Sequence, residues 1–162
     1  MTNRMQATSV SELNDIRGVG VQGTVLALAL RPEKGGAIAL AESITLTPEN
    51  GVMGDHGTSQ RRQVTLLDEA AWQTTCSEIG AELDWTVRRA NILVKGLDLP
   101  SLINQKVHIG SALIEVIGEV TPCHLMDEVH QGLEAALEPD FRGGVYAQVT
   151  TEGVVTIGDP IC

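Results

Sequence analysis

Aromatic side chains are scarce in this sequence: they make up 2% of its 162 residues, as two Trp, one Tyr and one Phe. So few rings disfavour the stacking platforms on which proteins bind unpaired bases. Positively charged residues are also few: the sequence has 11 Lys and Arg but 21 Asp and Glu, which gives a net charge of -10. Such a charge repels phosphates over most of a surface, so the composition argues against nucleic acid and acidic membranes as partners. We expect a small-molecule ligand.

The sequence also lacks long apolar runs and an even set of cysteines. No run of eighteen apolar residues occurs, and the first ten residues lack the apolar core of a secretory signal. The three cysteines, Cys76, Cys123 and Cys162, argue against a disulfide framework and for reduced thiols. We therefore expect a cytoplasmic protein. Its length suits one domain, which we place at residues 19–162 after an N-terminal arm over residues 1–18.

Short strands dominate the predicted secondary structure. Alternating or continuous apolar segments bounded by Gly, Pro and Asn predict strands near residues 21–30, 37–40, 43–47, 63–67, 91–94, 107–109, 112–117, 145–150 and 154–157. The last two are expected to form a hairpin. Helices are predicted over residues 69–79, where Asp68 is a suitable N-cap, and over residues 124–137. This pattern predicts a mainly β fold, barrel or sandwich, and closure into a barrel would remove exposed strand edges.

Cys123 has the clearest functional setting of the three cysteines. Thr121 is a suitable N-cap and Pro122 suits the first helical position, which would place Cys123 beside free N–H groups that stabilise a thiolate. The thiolate is the form that ligates metals or attacks as a nucleophile. The alternative is an inert structural thiol, the role that we assign to Cys76 because it shares helical spacing with Trp72.

Histidines near this segment offer further candidates. On one continuous helix, Cys123, Asp127 and His130 could share a face and bind zinc, although no Cys-x-x-Cys or His-Glu-x-x-His motif accompanies them. His124 could donate to a bound oxyanion next to the thiol. His56, in a glycine-rich loop, is a second candidate for contact with a cofactor.

Arginines are concentrated in three short motifs. Five of the eight lie there: Arg61, Arg62, Arg88, Arg89 and Arg142. Their planar forks suit phosphate or other oxyanions, and the glycines between Gly51 and Gly57 allow backbone N–H groups to converge as an anion nest. Asn91 could add an amide. The alternative is that these arginines form surface ion pairs with the many Asp and Glu.

Several of these segments, in their order and spacing, resemble the MOSC family, the module of molybdenum-cofactor sulfurases and related molybdoenzymes. The resemblance covers roughly residues 20–160 and is carried by GVMGDH at 51–56, RRQVTLLD at 61–68, RRANI at 88–92, GLDL at 96–99, IG at 109–110, PC at 122–123, RGGVYA at 142–147 and GDP at 158–160. Two departures are His124, where many members have a basic residue such as Arg, and Asn104, where glycine is common.

The resemblance implies a distorted, mostly antiparallel β-barrel with peripheral helices. It implies that Cys123 corresponds to the cysteine that ligates molybdenum or carries sulfur for the molybdenum cofactor (molybdopterin). It also implies that Arg62, Arg89, Asn91 and Arg142 match motif positions that could line the cofactor pocket.

Three functions remain open at this point. The first is a molybdoenzyme that reduces N-hydroxylated compounds with electrons from a separate electron-transfer protein. The second is a cofactor-binding or sulfur-carrier module that receives sulfur on Cys123 from a separate cysteine desulfurase, since no pyridoxal-phosphate domain fits in 162 residues. The third is a metal-free anion-binding barrel with an inert Cys123.

Overall fold

A computed structural model describes residues 22–57 and 59–162. The predicted N-terminal arm, and its boundary with the domain at residue 18, lie outside these residues. Eleven strands are described: β1 Gly23–Leu30, β2 Ala39–Ala41, β3 Ser43–Thr47, β4 Gly51–Val52, β5 Val64–Asp68, β6 Ile92–Lys95, β7 Lys106–Ile109, β8 Ala112–Glu119, β9 Val145–Thr151, β10 Gly153–Thr156 and β11 Pro160–Ile161. The chain is mainly β, as the sequence predicts.

Seven strands close into a barrel in the order β11-β7-β8-β9-β5-β6-β1, and β1 pairs back to β11. The β5–β6 pair is parallel and the remaining barrel pairs are antiparallel, which confirms a mostly antiparallel barrel. The two-residue strand β11 was not predicted, because so short a segment carries no periodicity. Its Ile161 is nevertheless fully buried at the seam.

A second, smaller sheet is separate from the barrel sheet and has the strand order β10-β3-β4. The predicted hairpin between the last two long strands is wrong, because β10 pairs with β3, from Gly153 opposite Leu46 to Thr156 opposite Ser43. Gly153 sits so close to the backbone of Ser111 and Ala112 that a Cβ would lie 2.4 Å from it. This close approach requires a residue without a side chain at the start of β10.

Three α-helices are described: α1 Glu69–Ile79, α2 Leu125–Val129 and α3 Leu133–Leu137. Helix α1 begins where predicted, with the Asp68 side chain accepting from Ala71 N–H, and ends at Gly80. The single helix predicted over residues 124–137 is interrupted. His130 is extended and Gly132 has φ +90°, a left-handed value that glycine adopts without cost, so the chain turns between two short helices.

Two apolar cores hold the fold together. The larger fills the barrel and includes Leu66, Ile92 and Ile114. The smaller lies between the barrel and the helices, and it includes Trp72, Leu133 and Cys76, so the prediction of Cys76 as a buried core residue is confirmed. The helices therefore pack on the outside of the barrel.

No helix in the described ranges has the length and apolarity that crossing a bilayer requires.

Asn104, noted above as a departure from the MOSC pattern, has φ +67° just before β7. Asparagine is one of the few non-glycine residues that adopts this left-handed conformation readily. The departure thus preserves the turn.

Candidate functional site

A narrow cleft of about 180 Å³ carries four arginines on its walls. The arginines come from three places in the chain: Arg31 follows β1, Arg62 precedes β5, and the Arg88–Arg89 pair precedes β6. Thr65 and Val120 also line the cleft. Because β1, β5 and β6 are neighbours in the barrel, residues distant in sequence meet at one point.

Arg88 is the most firmly held of these side chains. Its Nη2 donates to the carbonyl of Val120 at 2.9 Å and its Nε donates to the carbonyl of Gly143 at 3.2 Å, while Nη1 lies 3.9 Å from the Met126 sulfur. Burial lowers the pKa of Arg88, and nearby Arg62 lowers it further, whereas the charges of Cys123 and Glu119 raise it. The guanidinium therefore links the cleft to the segment that carries Cys123.

Arg89 and Arg62 reach the cleft from different backbone settings. Arg89 has φ 60°, and its Nη1 donates to the carbonyl of Gly36 at 3.0 Å. The Arg62 guanidinium lies over the ring of Tyr146, 4.9 Å from its centroid, and Arg61 donates from Nε to the Tyr146 hydroxyl at 2.9 Å. Tyr146 thus holds Arg62 by a cation–π contact that leaves the N–H groups available.

Most of the cleft arginines form no ion pair with a carboxylate of the described residues. Within residues 22–57 and 59–162, ion pairs join only Arg31 to Asp55 and Arg142 to Glu78. Arg62, Arg88 and Arg89 therefore have no carboxylate within 4.0 Å in the described part of the chain. Three such guanidiniums line one cleft in a protein of net charge -10, and they concentrate positive charge there.

Asp55 organises the glycine-rich loop beside the cleft. Its side chain is fully buried and accepts from Gly57 N at 2.7 Å, from Arg31 N at 3.0 Å and Nε at 3.1 Å, and from Asn91 Nδ2 at 2.9 Å. The loop donors predicted to receive an external anion are thus partly occupied by the protein's own carboxylate. The loop places residues around the cleft.

Burial acts to raise the pKa of Asp55, but the hydrogen bonds and charge of Arg31, together with the N–H of Gly57, outweigh it and leave the pKa below its ordinary value. Asp55 is therefore a carboxylate at neutral pH and neutralises part of the charge of Arg31.

Asn91 is fully buried and does not reach the cleft surface. Its Oδ1 accepts from the backbone and hydroxyl of Thr65, and its Nδ2 donates to Asp55 and to the carbonyl of Ala29. The structure thus places Asn91 behind the cleft, where it joins β1, β5 and β6, with its amide donors already used.

Arg142 lies apart from the other predicted arginines. Its Nη1 donates to Glu78 at 2.8 Å on α1 and to the carbonyl of Ala136 at 3.0 Å on α3. The hydrogen bond from Arg142 lowers the pKa of Glu78, and the pKa of Arg142 is raised in return. The structure therefore does not bring Arg142 into the cleft, although Gly143 after it is a lining residue.

Cys123 is exposed, in the segment between β8 and α2. The prediction that Thr121 caps a helix beginning at Pro122 is wrong: α2 begins at Leu125 with His124 as its N-cap residue, without a side-chain cap. The carbonyl of Cys123 instead accepts from Met126 N at 3.0 Å. With Val120 in the cleft wall and Met126 beside Arg88, both flanks of Cys123 adjoin the arginine cluster.

His124 and His56, the histidines predicted to contact a bound anion or cofactor, are both exposed and neither lines the cleft. His124 adjoins Cys123 in the chain. His56 lies between Asp55 and Gly57, which are joined by a hydrogen bond, and the His56 backbone N–H donates to the Arg31 carbonyl. The zinc arrangement is not formed, since α2 ends at Val129 and Cys123, Asp127 and His130 do not share one helix. The described residues contain no cluster of three metal-ligating side chains.

Sequence reasoning missed one of the four cleft arginines, Arg31. The sequence marks Arg88 as one of the paired arginines that suit an oxyanion, but the resemblance does not assign it to the pocket. Arg31 stands alone after an apolar strand, and no local signal indicates that β1 ends beside β5 and β6.

The sequence model of the MOSC domain matches residues 53–162. The fold is similar to the crystal structure of YuaD from Bacillus subtilis, with a TM-score of 0.69 and 19% identity over 86% of this chain and 94% of that one. It is also similar to YiiM from Escherichia coli, with a TM-score of 0.66 and 16% identity over 85% of this chain and 68% of the other. No curated protein matches the sequence significantly.

Proposed function

Since the chain belongs to the MOSC domain family, a family associated with the molybdenum cofactor, we propose that it binds this cofactor by its phosphate in the arginine cleft. The observation that carries the proposal is the group of three arginines without carboxylate partners in the described residues. In this proposal Arg62, Arg88 and Arg89 bind the phosphate, and the exposed Cys123 thiolate ligates the molybdenum.

The dimensions and chemistry of the cleft fit part of such a cofactor. Its volume of about 180 Å³ is below the roughly 300–1,000 Å³ of sites that enclose a whole drug-sized ligand. A phosphate fits within it, and Cys123, three residues after the wall residue Val120, would hold the molybdenum. The protein supplies donors for the phosphate in the cleft and one exposed thiol, Cys123, outside the cleft lining.

Each side chain has a separate task in this proposal. Arg62 and Arg89 bind phosphate oxygens, while Arg88 also holds the carbonyls of Val120 and Gly143 and so fixes the segment before Cys123. Asp55 and Asn91 position the surrounding strands. When bound, the cofactor supplies two-electron redox chemistry. We propose N-hydroxylated compounds as substrates, whose reduction takes up two electrons and two protons and releases water; a separate electron-transfer protein supplies the electrons.

Cofactor capture tests this proposal. Wild-type protein and the variants Arg62→Ala, Cys123→Ser and Arg142→Ala are purified from a host that makes the cofactor, and bound molybdenum and fluorescent pterin are quantified. We expect Arg62→Ala to lower pterin affinity about tenfold or more, which corresponds to roughly 1.4 kcal/mol, because a charge-assisted hydrogen bond is removed. Arg142→Ala is the matched control and should bind as wild type does.

The outcomes separate the candidate functions. Loss of molybdenum but retention of pterin in Cys123→Ser supports the thiolate as a metal ligand. Persulfide on Cys123 without bound pterin indicates the sulfur carrier that works with a cysteine desulfurase. Equal pterin binding in wild type and Arg62→Ala contradicts the cleft as the phosphate site.

A further inference from the structure

Arg31 is the least expected member of the cleft, because it lies outside the segment that matches the MOSC domain. It is the residue after β1, at the end of the strand that closes the barrel. Its side chain is 18% exposed, so it faces the cleft without projecting freely into solvent.

The guanidinium of Arg31 is held on one edge and on one face. Its Nε donates to the buried Asp55 carboxylate at 3.1 Å, which fixes the edge. Its face lies against Gly57: a Cβ on that glycine would be 2.6 Å from Arg31 Cζ and 2.8 Å from Nη2. Among the described residues, no protein acceptor takes a hydrogen bond from either Nη atom.

Asp55 also anchors Gly57 through the 2.7 Å hydrogen bond from its N–H. One carboxylate therefore positions both the guanidinium and the backbone surface on which it packs. Such double support orients a planar donor without using its Nη groups, which is what a preorganised anion contact requires.

We propose that Arg31 is a fourth anion-binding residue of the cleft, and that Gly57 is present because only a residue without a side chain lets the Arg31 guanidinium lie flat beside it. This inference rests on the proposed function of the cleft. It adds a contact from β1, and it makes Asp55 a positioning residue rather than a ligand.

A double-mutant cycle tests this inference with inorganic phosphate as the probe, followed by calorimetry and by NMR of the arginine Nε–H groups. Arg31→Ala should weaken phosphate binding about tenfold, the loss of one charge-assisted hydrogen bond. Gly57→Ala keeps every charge but displaces the guanidinium, so it should cause a similar loss. The double variant should be no weaker than Arg31→Ala alone.

The controls distinguish this inference from the proposed function. Arg31→Lys retains the charge without the planar fork and should recover only part of the affinity. Thermal unfolding checks that Gly57→Ala stays folded. Wild-type affinity in Gly57→Ala and Arg31→Ala, with loss in Arg62→Ala, overturns the role of Arg31 alone. Absence of phosphate binding to wild type overturns both.

Discussion

At the scale of single residues, the Asp55 carboxylate combines complete burial with hydrogen bonds from Arg31, Gly57 and Asn91. These donors bind the charged form more strongly than the protonated form, which is why the pKa lies below its ordinary value of 3.8. A group whose pKa is lowered by folding stabilises the native state above the unfolded pKa, and this contribution is lost as pH falls through the folded value.

Asp55→Asn should therefore lower the free energy of unfolding at pH 7 by about 1–3 kcal/mol, the cost of leaving a buried partner unsatisfied. The difference between variant and wild type should shrink as the pH falls below about 3.8, where the carboxylate takes up a proton in the unfolded chain. In the folded protein the Asp55 pKa is lower, so its carboxylate is protonated only at still lower pH. Urea unfolding across pH 2.5–7, conditions chosen to span roughly this titration, measures both quantities. A difference that stays constant down to the lowest pH would show that Asp55 does not act through its charge.

The candidate site was predictable only where neighbouring residues reveal it. The Arg61-Arg62 and Arg88-Arg89 pairs stand out in the sequence, and Cys123 follows a strand. What selects Arg88 over Arg142 is long-range: the carbonyls of Val120 and Gly143 face Arg88, whereas Glu78 on α1 faces Arg142. No local pattern encodes such partners.

At the scale of elements, the break between α2 and α3 has an identifiable cause. Gly132 has φ +90°, and the Asp127 carboxylate accepts from Glu134 N at 2.9 Å, at the start of α3. The apolar spacing of residues 125–137 suits one helix, so periodicity alone predicted continuity. A single glycine conformation and a side-chain cap, which both act locally, override that pattern.

Gly132→Ala isolates this backbone effect, because the new methyl would meet only Ile79 Cγ2 at an ordinary 3.7 Å. We expect a loss of about 1–2 kcal/mol in the free energy of unfolding, the cost of a left-handed conformation for an L-residue. Gly132→Asn should lose less, since asparagine tolerates this conformation. Chemical denaturation measures both, and equal stability of Gly132→Ala and wild type would contradict the assigned strain.

At the scale of the whole molecule, the barrel depends on a seam of very few residues. Gly23 pairs with Ile161 and Thr24 with Pro160, while Ile161 also pairs with Ile109. The general class of the fold was predictable from many short strands and the MOSC resemblance. The seam was not, because β11 has two residues and its pairing is decided by the closure of the other six strands.

Deletion of residues 160–162 should open this seam. Removal of the fully buried Ile161 alone should cost about 2–5 kcal/mol, and hydrogen bonds from Gln22 and His108 to this segment are lost in addition. Cys162→Ser retains the backbone pairing with His108 and is the control. Thermal unfolding and tryptophan fluorescence report the result; a truncated protein as stable as the control would show that the seam contributes nothing.

The same seam governs how the chain reaches its native state. Contacts between residues 23–24 and 160–161 close a loop that contains nearly the whole described chain. Forming them costs the conformational entropy of closing this loop before the contacts themselves stabilise the fold. Proteins dominated by such distant pairings fold in roughly milliseconds to seconds. We therefore expect the β1–β11 pairing to form late in folding, after local hairpins such as β7–β8, so that substitutions at the seam accelerate unfolding more than they slow folding.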